Sequence, residues 1–379
     1  MNYLILLLTG IYILIVYLIL FYISNNVKKC IEYCKNIPTT DFSEAVSIIK
    51  PSKGSDEFSL TNFNSWVNQK YDAHIECIFS FDEKDDAGIK IAQAVPFPNK
   101  KILINPIIEG FTGKMSALKH GLNNSNYEVV VFSDSDTKAQ SDTLSKIMSQ
   151  LKRGAKIVTC LAIYNQTKNI WSRLYASTWN LAEIGIVGSS ILKHGDQAVG
   201  NTLALSKNTL EQLGGLDKYS NYIAEDIAIG KSAHEVHFSI LLGPMIESPV
   251  GEMSFHNLIE KYSRAASYAI TMRGLKNNWQ FIVIYSYFLV FFPPAIFLSA
   301  NIVILAIFLA LGRLTFASYL WFMMTGEKKV FIECFLGDIL FFFMYIRSLI
   351  FKTMSWSSIK YRVDSTGRLT ILHYGKLQS

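Results

Sequence analysis

The run Tyr3–Ser24 is almost wholly apolar. A bilayer core takes about 20 helical residues to cross, and lipid offers peptide groups no hydrogen-bond partner. Such a run has to satisfy its own backbone, so it is expected as a spanning helix. No Lys or Arg precedes it and no small-residue cleavage site follows, which sets it apart from a removable signal peptide. Lys28, Lys29 and Lys35 come directly after it. The positive-inside rule then predicts an integral membrane protein whose residues from 25 onward lie on the cytosolic face.

The C-terminal third is apolar again. Phe281–Leu311 is a long run interrupted by Pro293-Pro294, Leu314–Met324 is too short to span alone, and Val330–Phe351 is long enough. The Pro pair suits either a kinked span or a re-entrant hairpin. Lys352, Lys360, Arg362 and Arg368 mark the tail as cytosolic, so two or four C-terminal crossings are expected. The expected organisation is an anchor over 1–24, a soluble domain over 25–254, an amphipathic interfacial helix over 255–280, a membrane region over 281–351 and a cytosolic tail over 352–379.

Half of the residues are hydrophobic and the mean hydropathy is +0.24, but the excess sits at the two ends. The net charge of +6 suits an anionic membrane surface or cosubstrate. No Lys/Arg run interleaved with aromatics is present, so a nucleic-acid partner is not expected. Five scattered cysteines, none in a CxxC pair, read as free thiols in a reducing compartment. His120, His194, His234, His237 and His256 have no metal-ligand spacing, and there is neither a GxSxG elbow nor a Walker loop.

Between the apolar ends, β-rich runs at 45–50, 74–80, 101–105, 128–133 and 156–162 alternate with helical stretches near 57–69, 86–94, 113–123 and 141–152. This predicts an α/β domain, Rossmann-like, with a mostly parallel sheet. Ligands of such sheets bind beyond the carboxyl ends of the strands.

Three acidic clusters matter there. Asp82, Glu83, Asp85 and Asp86 follow the second strand. They read as a solvated turn capping the next helix, or as acceptors for a uracil imide or ribose hydroxyl, with Asp86 the better placed. Asp134-Ser135-Asp136 follows the fourth strand. It reads as an Asx turn, or as two hard carboxylates for Mg²⁺ or Mn²⁺ bridging a diphosphate. Glu225-Asp226 opens a helix, either as charge favoured by the helix dipole or as a general base, Asp226, with Glu225 orienting it. Lys114 reads as a surface lysine or a phosphate ligand. Arg264 reads as an interfacial basic residue or a two-pronged diphosphate clamp.

Carboxylate clusters in this order on such a sheet are what transfer from a nucleotide sugar requires, and the membrane runs point to a lipid acceptor. The residues resemble the ceramide glucosyltransferase family and its bacterial relatives through most of the chain. Lys50-Pro51-Ser52-Lys53-Gly54 is similar to the family's KPxKG, and Asp85-Asp86-Ala87 to its DDPA with Ala in place of Pro. Lys114 to Leu118 resembles NPKxxxL with Thr112-Gly113 before the lysine. Asp134 takes the second aspartate's place, and Gly214-Gly215-Leu216 with Tyr222 to Asp226 matches the third motif. Ser355-Trp356 with Tyr361-Arg362-Val363 resembles the family's tail.

One departure stands out. The family's (Q/R)xxRW is here Arg264-Ala265-Ala266-Ser267-Tyr268, so Ser and Tyr replace Arg and Trp. The resemblance implies a GT-A fold, inversion at the anomeric carbon, and nucleotide-sugar binding by Lys50, Pro51, Lys53, Gly54, Asp85, Asp86, Lys114, Asp134 and Arg264. The expected activity is transfer of a hexose from a UDP-sugar, first of all UDP-glucose, to a ceramide-like lipid, with Asp134 and Asp136 holding Mg²⁺ or Mn²⁺. The alternatives are a polysaccharide synthase, disfavoured by few C-terminal crossings and an incomplete QxxRW, and a non-catalytic membrane scaffold.

Overall fold

The computed structural model describes residues 2–40, 44–273, 285, 300–329, 332–356 and 359–374. Pro293-Pro294 lies outside the described residues. The chain divides into two units: Cys30–Gln166 with Val187–Gly251, and Met1–Lys29 with Thr167–Ile186 and Glu252–Ser379.

The first unit is built on a seven-stranded sheet. Its strands are β1 (Val46–Pro51), β2 (Ile75–Phe81), β3 (Lys100–Ile104), β4 (Val129–Ser133), β5 (Ile157–Cys160), β7 (Thr202–Ser206) and β8 (Ile240–Leu242), in the order β3-β2-β1-β4-β7-β5-β8. β6 (Ala162–Thr167) pairs apart from them with β9 (Ile246–Gly251). Every residue of β1, β2 and β4 is buried. Strands covered on both faces read as largely apolar runs, here interrupted by the buried polar residues Ser47, Lys50, Glu76 and Ser80.

Four neighbours, β3, β2, β1 and β4, are parallel. Their crossovers are helices α2 (Ser59–Val67), α3 (Ala87–Ala94) and α4 (Gly113–Asn123). Parallel pairing puts the carboxyl ends of β1, β2 and β4 on one rim, so residues 82–86 and 134–136 emerge on the same edge. β7 runs antiparallel to both β4 and β5. Its first residue, Thr202, lies opposite Ser133, which brings Gly200 and Asn201 to that rim. The sheet is therefore mostly parallel with one reversed strand.

Helices α5 (Thr143–Lys152), α7 (Ser189–His194), α8 (Lys207–Gln212) and α9 (Glu225–Glu235) complete this unit. Caps start the helices where the sequence supplies them. Asp86 accepts from Gly88 N at the head of α3, and Thr112 accepts from Met115 N at the head of α4.

The second unit gathers the apolar elements. α1 runs unbroken over Asn2–Lys35. α6 (Ile170–Asn180) continues into a π-helix, Leu181–Gly188. α10 (Phe255–Tyr268) leads into a second, shorter π-helix, Ala269–Arg273. α11 (Ala300–Thr325) and α12 (Cys334–Phe351) precede a three-stranded antiparallel sheet, β10 (Thr353–Trp356), β11 (Ile359–Val363) and β12 (Leu369–Tyr374). Among the described residues, three helical stretches are long and apolar enough to cross a membrane: Leu7–Lys35, Ile307–Thr325 and Cys334–Phe351.

Two sequence expectations differ from this arrangement. A break between Leu311 and Leu314 does not occur, because α11 passes straight through Gly312-Arg313. The Arg313 charge that interrupts the apolar run is neutralised by a buried pair with Asp338 of α12. Residues 167–186, taken with the soluble domain, belong to the apolar unit. Thr178 and Leu174 of α6 hydrogen-bond Tyr262 of α10 there. The five cysteines are free and buried.

Candidate functional site

The rim beyond β1, β2 and β4 gathers the acidic clusters and the lysines that meet them. Lys114, in the first turn of α4, reaches two acidic clusters at once. Its Nζ lies 2.8 Å from Asp134 Oδ1 and 2.8 Å from Glu225 Oε1. The turn after β4 and the first turn of α9 are distant in sequence, and this ammonium group joins them. Burial alone would depress the lysine, but Asp134, Glu225 and Asp226 outweigh it and hold it firmly charged.

Asp226 stands beside that pair. Its carboxyl is pushed up to about 7, by burial first and then by the Glu225 charge, while Lys114 and the Ile227 backbone N–H pull it back. Burial likewise raises Asp134, opposed by Lys114. Gly200 lies directly against Asp226: a Cβ at this position would meet Asp226 Oδ2 at 2.9 Å and its Cγ at 3.0 Å. The neighbouring Asn201 accepts from Asp134 N at 3.0 Å. The lead-in to β7 thus touches both clusters. No motif in the sequence marks Gly200 or Asn201, since only the antiparallel pairing of β7 on β4 brings them here.

Lys50 is fully buried beneath the turn after β4. It donates to Asp134 O at 2.8 Å and to Ser133 Oγ at 3.0 Å, and its ammonium lies 5.2 Å from the Trp66 ring centroid. Burial lowers it to about 8, with Cys77, Asp134 and Asp136 opposing. Its bonds are to the turn that carries Asp134. Pro51 is buried at the end of β1.

Lys53 and Gly54 meet the first acidic cluster. Lys53 Nζ lies 3.2 Å from Glu83 and 3.6 Å from Asp82. Asp86 Oδ2 accepts from Gly54 N at 2.8 Å while its Oδ1 caps α3. Asp86 therefore fastens the loop after β1 to the head of α3. Asp85 is exposed. Asp82 has a buried carboxylate oxygen, Oδ1, with no hydrogen-bond partner. Sequence reasoning gave Asp82 no separate role, and only its burial singles it out.

Arg264 belongs to the other unit, where its guanidinium lies 5.0 Å from the Trp356 ring centroid. Ser267 donates to Ser263 O at 2.9 Å, and Tyr268 meets Trp179 edge-on at 6.2 Å. The positions where the resembled motif carries Arg and Trp are thus occupied by packing within that unit.

Among the described residues no three His, Cys, Asp or Glu side chains form a cage for a metal ion. The donor set fits a different kind of site. Asp134 and Asp136 offer hard carboxylate oxygens one residue apart, and Lys114 takes only Oδ1 of Asp134. Mg²⁺ and ions like it are held by one or two carboxylates and complete their shell with substrate phosphate and water.

The architecture is a GT-A fold, a mostly parallel sheet with acidic residues along its carboxyl rim. The chain belongs to glycosyl transferase family 21, whose model matches residues 8–369. It is 23% identical over 196 residues to ceramide glucosyltransferase 1 of Caenorhabditis elegans, covering 49% of this chain and 41% of that protein. Ceramide glucosyltransferase 3 of the same organism is 22% identical over 196 residues, covering 49% and 42%. The matched region is thus less than half the length of either relative. Among solved structures, the mannosyltransferase PcManGT of Pyrobaculum calidifontis, in complex with GDP-Man and Mn²⁺, superposes with a TM-score of 0.54 at 15% identity, over 90% of this chain and 98% of that one. That likeness is one of fold.

Proposed function

We propose that this glycosyltransferase transfers a hexose from a UDP-sugar, UDP-glucose first, to the hydroxyl of ceramide or a similar lipid, with inversion, on the cytosolic face of a membrane. The observation that carries the reading is the Lys114 bridge between Asp134 and Glu225, with Asp226 alongside. One set of carboxylates suits a donor's diphosphate and the other suits an acceptor's proton. The family match and the names of the two relatives support the lipid acceptor. The orientation rests on Lys28, Lys29 and Lys35 following the first apolar run.

Asp226 takes the role of general base. A carboxyl titrating near 7 matches proton transfer at neutral pH, because it is substantially ionised yet basic enough to accept. The acceptor oxygen bonds to C1 of the sugar as the bond from C1 to the phosphate oxygen breaks. The electron pair leaves with UDP and the hydroxyl proton passes to Asp226. Glu225 and Gly200 fix the direction of that carboxylate. Asp86 and Gly54 shape the nucleoside side. Asp134 and Asp136 would hold Mg²⁺ or Mn²⁺, which supplies charge neutralisation for the departing diphosphate.

The test uses purified full-length chain with radiolabelled UDP-glucose and ceramide. The expected product is a single-sugar glycolipid, lost on EDTA treatment. Asp226→Asn is expected to abolish transfer while UDP still binds. Full activity in that variant removes the base assignment, and a polymeric product replaces the reading with a synthase.

A further inference from the structure

We propose that the outer face of the C-terminal three-stranded sheet docks on anionic phospholipid headgroups at the surface of the membrane that α12 enters. The inference goes beyond the transferase reading and does not depend on it. The pairing register sorts the side chains. Opposite Thr353 and Ser355 of β10 stand Arg362 and Lys360 of β11, and Arg362 in turn pairs with Thr370 of β12. Cross-strand partners share a face, so these five residues lie on one side of the sheet. Met354, Tyr361, Val363 and Leu369 belong to the other side, and all four are buried.

That inner side is fixed in place. Arg347 of α12 donates to Ser263 Oγ of α10 at 3.2 Å and to Thr353 O at 3.1 Å. Trp356 of β10 receives the Arg264 guanidinium of α10. The outer face is therefore the one turned away from α10.

Its charge is uncompensated. On an exposed sheet a cation gains from an acid across the strand, but here the cross-strand neighbours are Thr and Ser. Among the described residues, Lys352, Lys360 and Arg362 are all exposed and none has an ion-pair partner. The one acid of this segment, Asp364, is turned into its own bend, where it accepts from Thr366 N at 2.8 Å and from Arg368 N at 2.9 Å. Lysines often guard the edge of a sheet against pairing. β11 is the central strand, so Lys360 and Arg362 guard no edge.

Position names the occupant. Ile350 and Phe351, at the end of the membrane-length stretch Cys334–Phe351, are 66% and 62% exposed. Lys352 follows at once, in the left-handed conformation that ends the helix. Exposed side chains thus change from apolar to cationic between neighbouring residues, as they do where a chain leaves hydrocarbon for headgroups. Arg362 pairs with the next residue, Thr353, and Lys360 lies at most about 7 Å further along the strand. A headgroup layer is about 5 to 7 Å deep on each side of the core. Both cations are then within reach of lipid phosphate and carboxylate, which supply the missing counter-charge.

The experiment uses the full chain in neutral detergent, titrated with short-chain phosphatidylserine or phosphatidylcholine and read by native mass spectrometry. Saturable binding of phosphatidylserine is expected, weakened by salt and not shared by phosphatidylcholine. Each basic residue at an anionic surface contributes about fivefold. The double variant Lys360→Gln with Arg362→Gln is therefore expected to bind phosphatidylserine about 25-fold more weakly. The exchange Lys360→Arg with Arg362→Lys is expected to keep the affinity. Hydrogen exchange at Met354 and Tyr361 checks that the sheet is formed in each variant. Where the double variant loses the sheet, Arg362→Gln alone serves, with a loss of about fivefold. Phosphatidylcholine binding as tightly, or a folded Gln variant binding phosphatidylserine like the wild type, overturns the proposal. So does displacement of the lipid by an equal concentration of inorganic phosphate, which makes the face a site for soluble anions.

Discussion

Replacing Lys114 with Met tests the centre of the site. The lysine makes two contacts at 2.8 Å, with Asp134 and Glu225. In an effective dielectric of about 20, each carries a gross attraction of about 6 kcal/mol, most of it offset by desolvation. The side chains are roughly a quarter exposed or less, so a net stability loss of about 2 kcal/mol is expected, between surface and fully buried pairs. The more telling effect is on Asp226. Lys114 is one of the groups pulling its carboxyl down toward the ordinary range, and an opposite charge nearby is worth about 1 to 3 pH units. Without it, Asp226 titrates above 7 by about one unit or more.

A base must be ionised to act, so the acid limb of kcat/KM moves to higher pH. With a shift of about one unit, the ionised fraction at pH 7 falls from about half to about a tenth, a loss of about fivefold that is recovered near pH 9. Lys114→Arg keeps the charge and is expected to keep the limb near its original position. The assay is initial rate against pH at low substrate, paired with donor KM. An unchanged acid limb with only a raised donor KM would refute the reasoning and make Lys114 a phosphate ligand alone.

Three further outcomes follow from the same geometry. Gly200→Ala is expected to cut kcat about tenfold or more with UDP binding intact, measured by steady-state rates and calorimetry, because the new Cβ meets Asp226 at 2.9 Å. Lys50→Met removes the ammonium that bonds the Asp134 carbonyl and Ser133, both of which keep Thr137 as a partner, and is expected to cost about 1 to 3 kcal/mol in chemical denaturation, together with weaker donor binding. Asp226 binds its proton more tightly when folded, at about 7 against an ordinary 3.8. Its contribution to stability is therefore complete below pH 4 and lost as pH rises through 7, so Asp226→Asn is expected to be the more thermally stable protein at pH 8, an advantage that closes toward pH 4.

Much of the sheet was legible because its strands are buried on both faces. Val46–Pro51, Ile75–Phe81 and Val129–Ser133 differ from the sequence-based limits by a residue at most ends. Long apolar β-branched runs between turn residues leave few alternatives. The reversed strand Thr202–Ser206 was not legible: strand direction is set by which neighbour is free to pair, and five residues carry no sign of it. Gly200 went unseen with it. Lys114 could be recognised as a cation at a helix start, but its partners depend on how α9 returns to the rim. Arg313 reads as an interruption of an apolar run because its counter-charge, Asp338, lies in the next helix.

The lysines explain how so many carboxylates can share one rim. Asp82, Glu83, Asp134, Glu225 and Asp226 emerge from three separate connections, and like charges gathered without a counter-charge would push those connections apart. Each connection has its own ammonium group. Lys53 lies on Asp82 and Glu83, Lys114 on Asp134 and Glu225, and Lys50 lies under the turn that carries Asp134. The two lysines that touch the clusters directly come from the loop after β1 and from the first turn of α4, not from the acidic segments themselves. Their cost and benefit therefore fall on the fold as a whole. A rim tied this way is already assembled before a donor arrives; its carboxylates still outnumber the three lysines, and on the proposed reading the cation that accompanies the donor meets that remaining negative charge. The order of the acidic motifs along the chain is then a consequence of sheet topology, and the lysines that reach them from other segments are what let that topology close.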